Sequence, residues 1–392
     1  MKSIFYAFIL LTISFTASSQ VIINEYSCSN MNGITDAYGN REDWVELYNM
    51  GAAPVDLTGY YLSDKSTNLQ KWMIPSGTIA ANGYKMVFCS KRNTVSGTQY
   101  HPNFSLTQTR GDWIILVNSV LNVADSIKIV HMTKADHSVG RSTNAAPDWK
   151  LFTTPTPNAA NVGAQNFYTP KPVISLAPGF YAGAQSATIT CSDPTATIRY
   201  TINGQNPTAT STLYSGPVPI NATMVLRAAA FSTNQPSFIE TNSYFINVTH
   251  PIPVVSVCSQ GVFNLVNGNQ TPVVGAFELF EDDGTFIDEG QGDFNKHGND
   301  SWAYDQRGFD YITRDEFGYA AGLEHQIFPD SPRDQFQRVI LKPAASDNYS
   351  FENGAHIRDA FIHTLSIRAD MNLDERTWRP CVVYVNGVYW GV

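Results

Sequence analysis

The 392 residues exceed one compact unit, because domains run at roughly 100–200 residues each. Charged residues make up only 15%, below the usual share of about a quarter, while 27 Gly, 21 Pro, 19 Tyr and 22 Phe point to a β-rich, turn-rich chain. The net charge of −9 excludes the basic stripe that counterion release on nucleic acid requires, so nucleic acid is not an expected partner.

The N-terminus reads as a secretory signal over residues 1–19. Lys2 supplies the positive start, Ile4 to Phe15 is a nearly uninterrupted apolar run, and Ala17-Ser18-Ser19 offers small residues for cleavage before Gln20. As a membrane anchor the run is too short: about 12 helical residues reach roughly 18 Å, against a hydrocarbon core of about 30 Å. No later stretch has 18 consecutive apolar residues, so the mature chain is expected to be secreted or held at the cell surface, without a transmembrane segment.

Five cysteines, Cys28, Cys89, Cys191, Cys258 and Cys381, form no C-x-x-C pair, which excludes a metal knuckle. Cys28 and Cys89 fall together within the first expected domain. A bridge there is permitted by export, but small buried thiols are the favoured reading. N-x-[ST] triplets, among them those at Asn103, Asn221, Asn247, Asn299 and Asn348, carry little weight in Asn- and Ser/Thr-rich sequence.

From residue 20 to 152, short β-branched and aromatic runs alternate with Gly, Asn, Asp and Pro at the spacing of a sandwich. Strands are predicted at Asp43 to Asn49, Thr58 to Asp64, Gly83 to Cys89, Asp112 to Asn118 and Val123 to Val130. In the first of these, Val45 and Leu47 share one face, and Trp44, Glu46 and Tyr48 the other. No helix of ten residues is expected, and an immunoglobulin-like module follows. The blocks "VIINEYSCSN", "DWVELYNMGAAPVDLTGYYLSD" and "KWMIPSGTIAANGYKMVFCS", with the closing "GRSTNAAPDWKLFTTPTPNAAN", resemble the lamin-tail domain of exported bacterial proteins. Trp44, Glu46, Asn49, Trp72 and Pro75 stand at matching places. The resemblance implies an adhesion or positioning module without catalytic residues, and the tryptophans are expected in its core.

Residues 153–171 are rich in Pro, Thr, Asn and Ala without periodicity, and are predicted to form a semi-extended linker. Residues 172–248 return to β patterning, with strands predicted around 186–193, 197–204, 223–231 and 242–248. The stretch "IRYTINGQNPTATSTLYSGPVPINATMVLRAAAF" resembles the small C-terminal β-sandwich of chitobiases and hexosaminidases. That resemblance implies an accessory module of carbohydrate-active and surface proteins. Tyr181 and Tyr214 are candidates to stack on sugars, though packing is the favoured role for them.

Residues 249–392 change character to α+β. Strands are predicted at "IPVVSVCS", at "VVGAFELFEDDG" ending in an Asp-Asp-Gly turn, and as a buried strand over Phe336 to Ala345. The segment Ala355 to Asp370 sets Ile357, Ala360, Phe361, Thr364, Leu365 and Arg368 on the 3.6-residue period, a helix with Arg358 and Asp359 on its polar side. A final hairpin turns at Asn386-Gly387. The blocks at Pro253 to Val257, Glu278 to Gly284, His297 to Ser301, Arg338 to Lys342, Ile357 to Phe361 and Arg379 to Val392 resemble the CotH family of secreted, atypical protein kinases.

That resemblance implies the first lobe of a kinase-like fold, with ATP and Mg as the full-length family's cofactors and a secreted or surface protein as phosphate acceptor. Phosphoryl transfer needs a cation on the phosphates, carboxylates on the metal and an orienting carboxylate for the acceptor. By the resemblance, the catalytic residues are expected beyond Val392, so these 392 residues by themselves are expected not to catalyse transfer. Where family members show Lys-Lys-Ser, this chain has Gln306-Arg307-Gly308, and the planar Arg307 fork does not reproduce an ammonium. Arg307, Lys342 and Asp359 are the candidate nucleotide contacts, the last two as a Lys-to-acid pair; the alternative makes Arg307 and Lys342 surface charges and Asp359 a solvated helix residue.

"DFNKHG" at Asp293 to Gly298 mimics half a calcium loop, but Tyr304 stands where the closing Glu belongs, and no metal is expected. His356 and His363 share a helix face without metal-ligand spacing. The fold class expected overall is mainly β: two immunoglobulin-like sandwiches, then a partial α+β kinase-like lobe of CotH type. The alternative function is a non-enzymatic adhesin or carbohydrate-associated protein whose partner is a glycan or polymer.

Overall fold

The computed structural model describes residues 20–304, 306–343, 347, 357–371 and 373–392, and the chain is mainly β with immunoglobulin-like sandwiches. The apolar residues 1–19 and His356 lie outside the described residues.

In the first sandwich, one sheet runs in the order Trp149–Phe152, Ser138–Arg141, Val21–Ser27, Trp44–Asn49, Tyr84–Phe88, Gln99–His101, Thr94–Ser96. It faces a second sheet of Val123–Lys128, Trp113–Val117, Tyr61–Ser63 and Trp72–Met73. Val45 and Leu47 point into the core with Ile23, Val87, Ile114 and Leu116, as their alternation predicts. Trp44, Glu46 and Tyr48 are buried too, because other chain covers the opposite face. Trp44 packs with Met86, Phe88 and Ile34, and Tyr48 stacks on Tyr84.

Part of that cover is the segment predicted to be a semi-extended linker. Residues 153–171 have almost no regular structure, yet they are clamped to the first sandwich by a buried polar network. The Thr156 hydroxyl and N–H donate to Glu25 at 2.6 and 3.0 Å, and the Asn158 N–H donates to Glu46 at 2.6 Å. The Asn161 amide donates to the Arg141 carbonyl at 2.7 Å and accepts from Asn24 at 2.8 Å. Composition alone suggested an extended tether; the carboxylates of two neighbouring strands supply the acceptors that fold it back.

Cys28 and Cys89 are free and buried. Ser27 and Phe88 both pair with Trp44 from opposite sides, which sets the two cysteines two strands apart, at about 9.6 Å. A disulfide needs Cα atoms within roughly 7 Å.

The second sandwich is built on the sheet Gly179–Tyr181, Glu240–Ile246, Met224–Phe231, Thr197–Thr201, Thr212–Leu213, with the first of these running parallel to its neighbour. Arg227 is fully buried and holds the Gly204 carbonyl, the Asn206 side chain and the Thr241 hydroxyl. The Asn-Gly turn and the Asn-Pro-Thr that follows it thus act together: Gly204 and Asn206 supply acceptors to a buried guanidinium.

The third module is a seven-stranded sheet in the order Arg338–Leu341, Phe309–Thr313, Phe286–Lys296, Val273–Phe280, Val254–Cys258, Val382–Val385, Val388–Gly391. Only Val254–Cys258 and Val382–Val385 are parallel. The predicted hairpin turn has left-handed Asn386 and Gly387, φ 50° and 80°. Two expectations need correction. Arg338–Leu341 is not a buried strand but an alternating edge strand, with Val339 and Leu341 inward and Arg338 and Ile340 outward. The helix forms over Arg358–Arg368, yet only Ser366 is buried, and the apolar stripe Ile357, Phe361, Leu365 faces solvent.

The three modules share buried joints. Phe245 of the second packs with Phe280 and Tyr384 of the third. Beside them, Glu278 accepts the Ser243 N–H at 3.0 Å and the Ser243 hydroxyl. Asp315 of the third accepts the Gln108 and Thr109 N–H groups of the first at 2.7 and 3.1 Å. Lys134 of the first donates to the carbonyls of Pro236 and Ser237 in the second at 2.8 and 3.0 Å.

Asn161→Ala removes one acceptor of the Asn24 amide and the side-chain donor to the Arg141 carbonyl; at about 0.5–1.5 kcal/mol per hydrogen bond lost, it is expected to destabilise measurably in urea titration and to speed hydrogen exchange at residues 156–161. Unchanged exchange there would show that the network does not hold the segment.

The buried carboxyls are also expected to contribute less stability as pH rises from about 5 to 8. Burial pushes Glu46 up to about 7 and Glu278 up to about 8, and raises Glu25 and Asp315. In that window these groups keep protons when folded that they release on unfolding, so for them each step up in pH favours unfolding, at a limit of about 1.4 kcal/mol per group per unit. Glu278→Gln, neutral at every pH, is expected to flatten the part of the Tm profile up to about pH 8; a profile as steep as that of the parent chain would count against the assignment.

Candidate functional site

Strand parity decides which candidate residues meet. Ile340 pairs with Asp310, so Asp310 shares the outward face of Arg338, Ile340 and Lys342. At this edge, Arg338 pairs with Asp310, whose carboxylate is 1% exposed and whose Oδ1 has no hydrogen-bond partner among the described residues. His297, just past the end of Phe286–Lys296, lies in the same neighbourhood. Burial lowers its pKa first; Asp310 opposes the shift, while Arg376, Lys342 and Arg338 add to it. Three cations therefore act on one imidazole.

Lys342 leaves the edge strand and pairs with Asp359 in the first turn of the helix Arg358–Arg368. Both are open to solvent, at 39% and 49% of their side-chain surfaces. The helix start is held by Asp347, whose carboxylate accepts the Ile357 and Arg358 N–H groups at 2.9 Å each.

Arg307 goes elsewhere. It shares the parity of Phe309 and Tyr311, the core-facing residues of its strand. Its guanidinium donates to the Trp302 and Val266 carbonyls at 3.0 and 2.9 Å and lies 5.9 Å from the centre of the Trp302 ring. The Lys342–Asp359 pair thus stands on the outward side of the sheet and Arg307 on the inward side, where its donors tie a loop to the core.

Sequence reasoning missed Arg338, Asp310, His297 and Arg376. The alternation in Arg338–Leu341 was the available signal, but treating the strand as buried on both faces hid it.

The other candidates are structural. Tyr181 and Tyr214 pack against the second sandwich core, and the Tyr181 hydroxyl donates to the Ala177 carbonyl at 2.7 Å. Trp44 and Trp72 are buried in the first sandwich. Asp293 and Asn295 belong to the strand Phe286–Lys296, with Asp293 paired to Arg314 at 2.7 Å, so the half-motif for calcium is not a loop. Among the described residues no group of three or more His, Cys, Asp or Glu is arranged to hold a metal ion. The donors around Lys342 suit an oxyanion.

Comparison with known families agrees with the first two modules. The lamin tail domain matches residues 14–131, and the chitobiase/beta-hexosaminidase C-terminal domain matches residues 176–241. The chain therefore carries these two domain types in series. Strands Ser138–Arg141 and Trp149–Phe152 extend the first sandwich beyond its matched range, and neither match reaches residues 249–392. No curated protein matches the chain.

Arg307→Lys keeps the charge and loses the fork. It is expected to cost about 1–2 kcal/mol of stability through the carbonyl bonds, read by chemical denaturation, and an unchanged midpoint would remove the structural role assigned here.

Proposed function

We propose that this chain is an exported, surface-associated multidomain protein in which two sandwiches position a CotH-type, nucleotide-handling module toward a secreted or surface protein acceptor. The observation that carries the reading is the Lys342–Asp359 pair. A lysine on a strand held by a carboxylate on a helix is the arrangement with which kinase folds set a cation against nucleotide phosphates. Arg338 and His297 beside it add donors for the same anion. Mg would arrive with ATP, since the described residues form no metal cage of their own. The lamin tail and chitobiase-type domains support the positioning role, and their joints to the third module give it a fixed geometry.

Titration of Mg-ATP by fluorescence or calorimetry tests this. The expected result is saturable binding, weakened at least about tenfold, roughly 1.4 kcal/mol, by Lys342→Ala and by Asp359→Ala, with Arg307→Ala folded and close to the parent chain. Absence of nucleotide binding by the parent chain would sink the proposal.

The chitobiase/beta-hexosaminidase match favours a second reading, a carbohydrate-associated scaffold without nucleotide chemistry. Since Tyr181 and Tyr214 are engaged in packing, glycan contact would have to use other residues. Retention on a glycan array together with no affinity for ATP is the result that selects this reading.

A further inference from the structure

A cleft of about 330 Å³ lies beside Trp44, where the end of the strand Val21–Ser27 meets the folded-back segment 153–171. Its size is at the lower end of the roughly 300–1,000 Å³ that small-ligand sites occupy. The bonds of Thr156 and Asn158 to Glu25 and Glu46 hold the segment in place, so Pro155 and Pro157 stand as a fixed wall. Across the cleft, Asn30, Asn32 and Thr154 bring polar atoms.

Two side chains of the lining are almost wholly buried and still have a polar atom to spare. Trp44 is 1% exposed, with Met86, Phe88 and Ile34 packed around its ring. The other buried tryptophans give their indole N–H to an acceptor, Trp72 to Asn93 at 3.1 Å and Trp302 to the His297 carbonyl at 2.8 Å. The Trp44 N–H has no acceptor among the described residues, although a buried indole N–H ordinarily finds one. It is not one of the polar atoms sealed from solvent, and the sliver of Trp44 left open faces the cleft that it lines. Asn30 is 7% exposed. Its amide nitrogen donates to the Ile34 and Glu42 carbonyls at 2.8 and 2.9 Å, which fixes the orientation of the group and leaves Oδ1 as the spare acceptor. Gly33 keeps that oxygen open, because a Cβ there would stand 2.5 Å from it.

We propose that this cleft holds one neutral sugar residue of a glycan, a site that rests on the carbohydrate-associated reading and gives it a contact. Each sugar hydroxyl both donates and accepts, which matches a wall offering one spare N–H and one spare oxygen. An anion is a poorer match, since no Lys, Arg or His lines the cleft. A cation is poorer too: the Asp136 carboxylate already accepts the Met31 and Asn32 N–H groups and the Asn32 amide, and the Trp44 ring presents no open face. A peptide adding as a strand needs a free sheet edge, whereas Val21–Ser27 is paired on both sides.

The test is NMR of the full chain with its tryptophan indoles labelled with nitrogen-15, titrated with glucose, galactose, mannose and N-acetylglucosamine. Ligands of about a dozen heavy atoms bind with a Kd of roughly millimolar order, so titration to about 50 mM covers the range. At least one sugar is expected to shift, saturably, the indole signal that Trp44→Phe removes. Gly33→Ala, which crowds Asn30 Oδ1, and Thr154→Trp, which fills the mouth from an exposed position, should each weaken that shift at least tenfold with an unchanged circular dichroism spectrum. A Trp44 signal that no sugar moves, or that tetra-alanine moves equally, overturns the proposal. Glycan-array retention that survives both Gly33→Ala and Thr154→Trp also overturns it, while leaving the carbohydrate-associated reading standing.

Discussion

A carboxyl group shut between two sheets must either surrender its charge or be given donors, and Glu278 is in that position where the second sandwich meets the third module. It sits on the central strand Val273–Phe280. Its two oxygens take the N–H and hydroxyl of Ser243, and the same hydroxyl lies 2.6 Å from that of Ser256. Because an unpaired carboxyl at such a site is costly, this contact fixes one register between Glu240–Ile246 and the sheet of the third module. The aromatic group of Phe180, Phe245, Phe280 and Tyr384 supplies the apolar area around it. The polar pair selects the docking geometry, and the rings supply most of the attraction.

The other joints follow the same rule. Asp315 is the first residue of a short 3-10 turn in the third module, and its oxygens end on two consecutive N–H groups of the first sandwich. Tyr168, Phe238 and Tyr319, one from each of the consecutive chain regions, stack edge to face at the point where all three modules converge. His137 and Tyr168 share a 2.6 Å hydrogen bond there, and Lys134 lies against the rings of both Tyr168 and Phe238. Lys134 is desolvated by burial, which lowers its pKa to about 8. Its ionised form is tolerated because two carbonyls and two ring faces receive the charge. A body tied at several places transmits position from one module to the next, whereas the tether suggested by composition would not.

How much of this could be read beforehand depended on the range of the interactions. Strands such as Asp43 to Asn49 and the Asn386-Gly387 hairpin announce themselves through alternation and turn chemistry, which are local. The helix was legible as a helix for the same reason, but its environment was not. Periodicity shows that Ile357, Phe361 and Leu365 share a face, and it says nothing of whether another element arrives to cover it. The contacts of residues 153–171 were hidden for the complementary reason. Thr156, Asn158 and Asn161 look like solvated residues until Glu25 and Glu46, more than a hundred positions earlier, turn out to be buried acceptors. Long-range polar pairing leaves no periodic trace in a single sequence.

The candidate site carries the sharpest version of that limit. Arg307 and Lys342 are both cations near predicted strands, and a linear reading treats them as alternatives for the same task. Pairing of Phe309 with Leu341 puts these two residues on the same core-facing side. Arg307 lies two positions before Phe309 and so stays on that side; Lys342 lies one position after Leu341 and crosses to the other. One residue of difference in offset therefore separates a guanidinium that secures the Val266 loop from an ammonium that meets Asp359. Because side-chain direction in a strand has a period of two, a phosphate approaching the outward face would meet Lys342 and Arg338 and be shielded from Arg307 by the sheet itself. Arg307 thus has its donors engaged by the Trp302 and Val266 carbonyls on the inward side, while Lys342 and Arg338 stand with their carboxylate partners on the outward one.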